Sequence, residues 1–332
     1  MPLRPRFRKQ PRNGPRTNRG HSFSIQRPGL TLVPRLPILL LNTMKRRRSR
    51  LWASALAIFT GLIPFLSPSY PASAQTIDWD HPAEGLAIGV WDPSSVCSDV
   101  PPLVVSEIDP LRYRISVHYF RNEPFEEPPD IHEWQRRTGH DMVFNAGLFR
   151  ENFSYLGLLY AQGKPLGGKR HASWMGLFVA EPTEAGSARA GILDLSIDPF
   201  NEQRPPYGEA AQSLMLLDRT GKVRVNPSGK QSQQTIVGEL KNGHILLMKT
   251  TEPVSLHAIG RCLHEAYPQI RQAMAMDGGS SSDVSIGPAL QKAVENTSGT
   301  HSWMALLNSG PTGHIGLPAV IGISPRGATS RP

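Results

Sequence analysis

Between Gln234 and Lys249 the chain runs through two strand-length stretches, Gln234–Leu240 and His244–Lys249, separated by Lys241-Asn242-Gly243. Two such runs joined through Asn-Gly specify an antiparallel hairpin, because Asn-Gly suits a type I′ turn. Leu214–Leu217 and Lys222–Val225 flank Asp218-Arg219-Thr220-Gly221 and read as a second hairpin. Arg112–Tyr119 alternates polar and apolar residues, the period of a strand with one buried face. Leu86–Trp91, Asp141–Asn145, Tyr155–Ala161, Trp174–Ala180, Ala273–Met276 and Ala319–Ile323 add further short strands. Two helices stand out among them. Asp130 starts one, with Glu133 completing a capping box and Gly139 as the stop. Ser255 caps the other, which carries Leu256, Ile259, Leu263 and Tyr267 on roughly one face. Many strands, hairpins and few helices predict the α+β class: a single domain with a mixed, largely antiparallel sheet and a few packed helices. No internal repeat or linker divides it.

Charge divides the chain instead. Residues 1–74 hold 14 of the 36 Lys+Arg and no Asp or Glu. The rest holds 22 against all 27 acids, so the net charge of +9 belongs to the leader and the remainder is at −5. A phosphate-backbone footprint on the folded part is not expected, so no nucleic-acid partner is assigned. Met44 opens the basic run Lys45–Arg50, an apolar stretch follows from Leu51 to Leu66, and Pro71-Ala72-Ser73-Ala74-Gln75 supplies small residues before a cut. That order is a secretory signal peptide. The alternative is an uncleaved anchor, for which the stretch is short and interrupted by Pro64. The expected layout is a basic disordered extension over 1–43 ahead of a true start at Met44, and a signal peptide over 44–74. A lead-in region over 75–110 with one short strand follows, then the domain over 111–325 and a tail over 326–332. The location is periplasmic or extracellular, and a membrane is met only through the signal or an uncleaved anchor.

Cys97 and Cys262 are the only cysteines. In an oxidising compartment they form one long-range disulfide; otherwise they are two separate buried thiols, Cys262 sharing a helix face with Ile259 and Leu263. No spacing of His and Cys asks for a metal, and no cofactor is assigned.

Chemistry concentrates in three segments. In Asp277-Gly278-Gly279-Ser280-Ser281-Ser282-Asp283, an apolar strand ends at a carboxylate and a turn follows. There the glycines allow close approach, and N–H and hydroxyl donors can cradle an anion. The same pattern also suits a plain Gly-Ser surface loop with an Asx-turn. Phe144-Asn145-Ala146-Gly147-Leu148-Phe149 places an amide at a strand end, beside a pocket or merely before a tight turn. The loop Lys164–His171 carries Lys164, Lys169, Arg170 and His171, either for an anionic group or as a solvated surface.

Taken in order, these segments resemble the phosphodiester glycosidase family. Its pattern has an Asn-Gly-Gly-Phe-Phe-like strand end and a Gln-Ser/Ala-Gly-Pro-like segment. An Arg-x-Ala-x-Gly strand then precedes a Lys-Asp-Gly-like hairpin, a Ser-Leu helix start and Asp-Gly-Gly-Gly-Ser-Ser. The counterparts here are Asn145–Phe149, Gln212–Met215, Gln234–Gly238, Lys241–Gly243, Ser255-Leu256 and Asp277–Ser282, so the likeness spans roughly 130–325. The family's arginine is Gln234 here, which offers hydrogen bonds without charge; the first motif carries Ala146 and Leu148 in place of Gly and Phe.

The resemblance implies an exported hydrolase that cleaves a sugar-1-phosphodiester, in exopolysaccharide or cell-envelope glycan metabolism. Its substrate partner would be a carbohydrate or sugar phosphate. Asp277 would be the catalytic carboxylate. Asn145, Gln234, Gly278, Gly279, Ser280, Ser281, Lys169 and Arg170 would bind substrate. Two rivals stand beside this reading. Gln234 favours a non-catalytic exported glycan-binding or assembly protein that keeps the fold. A serine hydrolase using Ser280–Ser282 lacks a Gly-x-Ser-x-Gly elbow.

Overall fold

A computed structural model describes residues 77–296, 301–308 and 313–327. The extension over 1–43 and the signal peptide over 44–74 lie outside the described residues. All described residues belong to one unit, Pro68–Pro332. Its strands and helices are, in chain order, β1 (Trp79–Ala83), β2 (Leu86–Trp91), β3 (Leu103–Ile108), β4 (Tyr113–Tyr119), α1 (Ile131–Thr138), β5 (Met142–Asn145), β6 (Leu159–Ala161), β7 (Lys164–Pro165), β8 (Gly176–Pro182) and β9 (Ala190–Asp194). They continue with β10 (Tyr207–Leu217), β11 (Thr235–Leu240), β12 (Ile245–Thr250), α2 (Leu256–Ala266), β13 (Ile270–Ala275), β14 (Val284–Ile286), α3 (Pro288–Glu295), α4 (Ser302–Asn308) and β15 (Ala319–Pro325). The class is α+β. Every described pairing between these strands is antiparallel.

The hairpin β11–β12 lies at the centre of the larger sheet, whose eleven strands run β1-β2-β3-β12-β11-β13-β10-β6-β7, with β8 and β9 branching from β10. Its turn differs from the expected type I′. Only Gly243 takes a left-handed φ (+87°), and Asn242 does not. Leu240 N–H donates to His244 O (2.9 Å) and Gly243 N–H to Leu240 O (3.0 Å), closing a three-residue loop with glycine at the left-handed position. The three residues Lys241-Asn242-Gly243 thus act together, and a two-residue turn would have shifted the register by which Glu239 meets Ile245.

The central strands are apolar on both faces because both faces are buried. Val237, Leu247, Met274 and Val104 join a core shared with the smaller sheet, which runs β14-β5-β15-β4. Ile236, Leu246, Met248 and Ala273 join a core on the opposite side, closed by Ile259 and Leu263 of α2. Cys97 and Cys262 are joined in that second core, with Cα atoms 5.8 Å apart and a sequence separation of 165. The bond ties the segment between β2 and β3 to α2.

Both sequence-predicted helices begin at their expected caps. The Asp130 side chain accepts from Glu133 N–H (2.8 Å), and Gly139 ends α1 with φ +66°. The Glu133 carboxylate turns instead to Arg136 and Arg137, so only half of the capping box forms. Asp130→Ala removes the acceptor for that N–H and is expected to cost about 1 kcal/mol. The check is thermal melting, where a drop of roughly 2–4 °C is expected for a domain of this size; an unchanged melting temperature would mean that the cap contributes nothing.

Residues 75–110, expected to hold one short strand, carry three (β1, β2 and β3), and β3 pairs along its length with β12. Tyr155–Ala161 is a strand only from Leu159; Tyr155 makes an isolated bridge to Phe149. Leu214–Leu217 is the end of the eleven-residue β10, and its expected partner Lys222–Val225 supplies one bridge, Leu217 to Val223. Among the described residues no helix is long and apolar enough to cross a membrane.

Candidate active site

The turn Asp277–Asp283 carries the chain from β13 of the larger sheet to β14 of the smaller one. It is clamped where the two sheets' strand ends meet. Met276 N–H donates to Thr235 O at the start of β11 (2.9 Å), and Asp277 N–H to Ala146 O just past the end of β5 (3.1 Å).

Asn145, the last residue of β5, is fully buried and holds both ends of this turn. Its amide nitrogen donates to Asp277 O (2.8 Å) and Ala146 O (3.0 Å). Its amide oxygen accepts from Asp283 N–H (3.0 Å) and Thr235 Oγ1 (2.7 Å). Thr235 has then spent its proton, so the Ser282 hydroxyl donates to Thr235 Oγ1 at 2.9 Å. The four bonds use the full capacity of the amide. Asn145, expected among the substrate-binding residues, therefore acts as a positioning residue for the Asp277 turn.

Asp277 is half-buried. Burial raises its carboxyl above the ordinary aspartate range, and hydrogen bonds from the Ser281 hydroxyl and the Gly278 N–H pull back against that rise. The second of these bonds is 3.0 Å long. Gln234 sits beside it. The Gln234 Nε2 donates to Ser232 Oγ (2.8 Å) and Val254 O (3.3 Å). A Cβ on Gly278 would come within 2.7 Å of Gln234 Oε1, so glycine is what lets the turn lie against this amide.

Asp277, Gly278, Gly279 and Gln234 line one cleft of about 370 Å³, with Lys230 and Trp174 on its walls. Among the described residues, Asp277 and Lys230 are its only charged lining residues. Charge and hydrogen-bonding potential thus occur in one cleft, with Leu148, Leu214, Leu256 and Met276 as apolar surface.

Several expected contributions fall elsewhere. The glycine N–H groups are not free to cradle an anion. Gly278 N–H faces the Asp277 carboxylate, and Gly279 N–H donates to Gln233 O (2.8 Å). Ser281 is buried against Asp277, while Ser280 lines a different cleft on the far side of the turn. Lys169 is exposed, Arg170 donates to Leu195 O (2.7 Å), and neither lines the Asp277 cleft. Their loop is drawn in by buried Gln212, whose amide accepts from His171 N–H (2.9 Å) and Leu158 N–H (3.0 Å) and donates to His171 O (3.0 Å). What this segment brings to the cleft is Trp174, stacked on the His171 ring at 3.8 Å. Neither Trp174 nor Lys230 carries a local sequence signal. Lys230 stands in the turn-rich stretch Asn226–Gln231, where any lysine reads as a solvated surface residue.

The sequence profile of the phosphodiester glycosidase family matches residues 139–306, a little over half of the chain and all of the cleft's lining residues. No curated protein matches the chain in sequence. Among solved structures, the catalytic domain of zebrafish N-acetylglucosamine-1-phosphodiester α-N-acetylglucosaminidase is similar over 74% of this chain and 86% of that one, at 16% identity and a TM-score of 0.49. A hypothetical protein from Synechocystis is similar over 76% of this chain, at 11% identity and a TM-score of 0.45, and this chain spans 64% of its length.

Proposed function

The chain belongs to the phosphodiester glycosidase family, and from that premise we propose that it is an exported hydrolase of a sugar-1-phosphodiester in exopolysaccharide or cell-envelope glycan. The observation that carries this reading is Asp277: a half-buried carboxyl, held by two donors, in a cleft that also holds a cation. Water attacks the anomeric carbon and gives its proton to the Asp277 carboxylate. The bond from the anomeric carbon to the phosphate oxygen breaks, and the phosphate monoester departs with the electron pair. Glycoside hydrolysis ordinarily uses two carboxyl groups, one of them to protonate the leaving oxygen. A phosphate monoester leaves as a stable anion, so the single carboxylate of this cleft is sufficient. Lys230 supplies the charge for the phosphate that Gln234 lacks, and the Gln234 amide, facing Gly278, keeps the Asp277 turn in place. The basic–apolar–small order of Met44–Ala74 supports export.

Hydrolysis of a panel of methyl sugar-1-phosphodiesters in ¹⁸O-labelled water tests the reaction. The label should enter the sugar hydroxyl and methyl phosphate should be released unlabelled. Label in the phosphate would mean attack at phosphorus and would overturn the mechanism. Binding of the panel without any release would favour the glycan-binding reading that Gln234 suggests. Lys230→Ala should raise KM roughly tenfold, equivalent to about 1.4 kcal/mol, with kcat within about twofold of wild type, because a phosphate contact made equally in ground and transition states affects binding alone. An unchanged KM would remove Lys230 from the site.

A further inference from the structure

The turn Asp277–Asp283 has a second working face. Across it from the Asp277 cleft lies another of about 310 Å³, lined by Lys249, Gln233, Ser280 and Asp283 and walled by Met304 and Leu307 of α4. Gln233 and Gln234 are consecutive and serve the two clefts separately. None of this second cleft's side chains is used in the chemistry above.

Lys249, near the end of β12, is buried and forms no ion pair among the described residues; its ammonium donates only to Thr250 O (3.2 Å). Burial lowers its pKa to about 8 and Asp283 offsets only part of that fall, so the charged form lacks a partner. Asp283 does not fill the role, because both of its oxygens are directed elsewhere. Oδ1 accepts from Val284 N–H (2.9 Å) and Oδ2 from His314 Nδ1 (2.6 Å). His314 Nε2 faces His132 Nε2 (3.1 Å), and His132 Nδ1 faces Ser285 Oγ (3.2 Å). One neutral arrangement satisfies the row. Ser285 O–H donates to His132 Nδ1, His132 Nε2–H to His314 Nε2, and His314 Nδ1–H to Asp283. That row leaves Lys249 without a carboxylate partner, with Glu295 exposed on the lining of the cleft.

A lining that combines polar groups with apolar side chains matches a pyranose, which has hydroxyls at its edge and C–H groups on its face, and the volume lies at the lower end for small-molecule sites. We propose that this cleft is a subsite for an acidic sugar unit. Its carboxylate pairs with Lys249, its hydroxyls meet Gln233, Ser280 and Asp283, and its apolar face lies on Met304 and Leu307. The inference rests on the proposed function only in making the acidic unit part of the glycan cleaved across the turn.

Calorimetric titration of the whole chain with D-glucuronate, D-glucose and inorganic phosphate tests it without reference to turnover. Glucuronate should bind at least tenfold more tightly than glucose. Lys249→Met should weaken glucuronate at least tenfold and leave glucose unchanged, and phosphate at equal concentration should not displace glucuronate. Absence of glucuronate binding, equal binding by Lys249→Met, or displacement by phosphate would each overturn the subsite. If Lys249→Met melts early, Ser280→Trp replaces it: filling the cleft should abolish glucuronate binding, and undiminished binding is evidence against the proposal. Asp277→Asn should keep glucuronate affinity. Normal turnover in that variant would sink the proposed reaction and leave the subsite standing, whereas its loss of glucuronate binding would show that the two clefts are not separate sites.

Discussion

Asp277→Asn is expected to lower kcat on a sugar-1-phosphodiester by about 10²–10⁴-fold, the contribution of a positioned general base, without lowering the melting temperature. Asn has nearly the shape of Asp and keeps an acceptor for the Gly278 N–H and the Ser281 hydroxyl, but it cannot take a proton from water. The stability half follows from linkage. The Asp277 carboxyl holds its proton to higher pH in the folded than in the unfolded chain. The folded state therefore binds more protons, and its stability falls as pH rises through the range above the unfolded pKa. Below that pKa both states are protonated and the effect vanishes. Asn carries none of this cost, so the variant should melt at or above the wild-type temperature at pH 7, and the gap should close in acid. Melting curves at two pH values beside steady-state rates decide the matter. A variant that melts early yet turns over normally would make Asp277 a structural residue.

Removing the Cys97–Cys262 bond should produce the largest loss of stability. It closes a span of 165 residues, for which the chain-entropy account gives about 5 kcal/mol, while typical measured losses are roughly 2–4 kcal/mol. For a domain of this size that is a fall of about 5–20 °C in melting temperature. Both sulfurs lie in the core under α2, so Cys97→Ala with Cys262→Ala also leaves a small void there. The double variant and the wild type under reductant should melt alike and well below the oxidised protein. If all three melt together, the cross-link adds nothing to the fold. Neither cysteine lines the Asp277 cleft, so turnover at low temperature should survive loss of the bond.

Local chemistry was legible in the sequence. Asp130 and Ser255 cap their helices through their own side chains and the N–H groups three residues on, and such contacts need nothing distant. The hairpin at Lys241-Asn242-Gly243, the α+β class and the ordered motifs of the family were readable for the same reason. The turn type was not, because a three-residue loop differs from a two-residue one only in which residue takes the left-handed conformation, and the pairing of β11 with β12 decides that. The lead-in strands were hidden too: β1 pairs with β2 and β2 with β3, but β3 is fixed in the sheet by β12, more than a hundred residues away.

The site divides along the same line. By itself the sequence determined that Asp277 ends an apolar strand and enters a glycine turn. Only the tertiary structure decided that Asn145 is spent on holding that turn, that the glycine N–H groups are already occupied, and that Lys230 and Trp174, rather than Lys169 and Arg170, reach the cleft. Strand propensity and capping act over a few residues and can be read from them. Convergence at the Asp277 turn depends on the register of β5, β11, β13 and β14, which is set by the burial of two sheets at once and leaves no mark on the neighbours of any one residue.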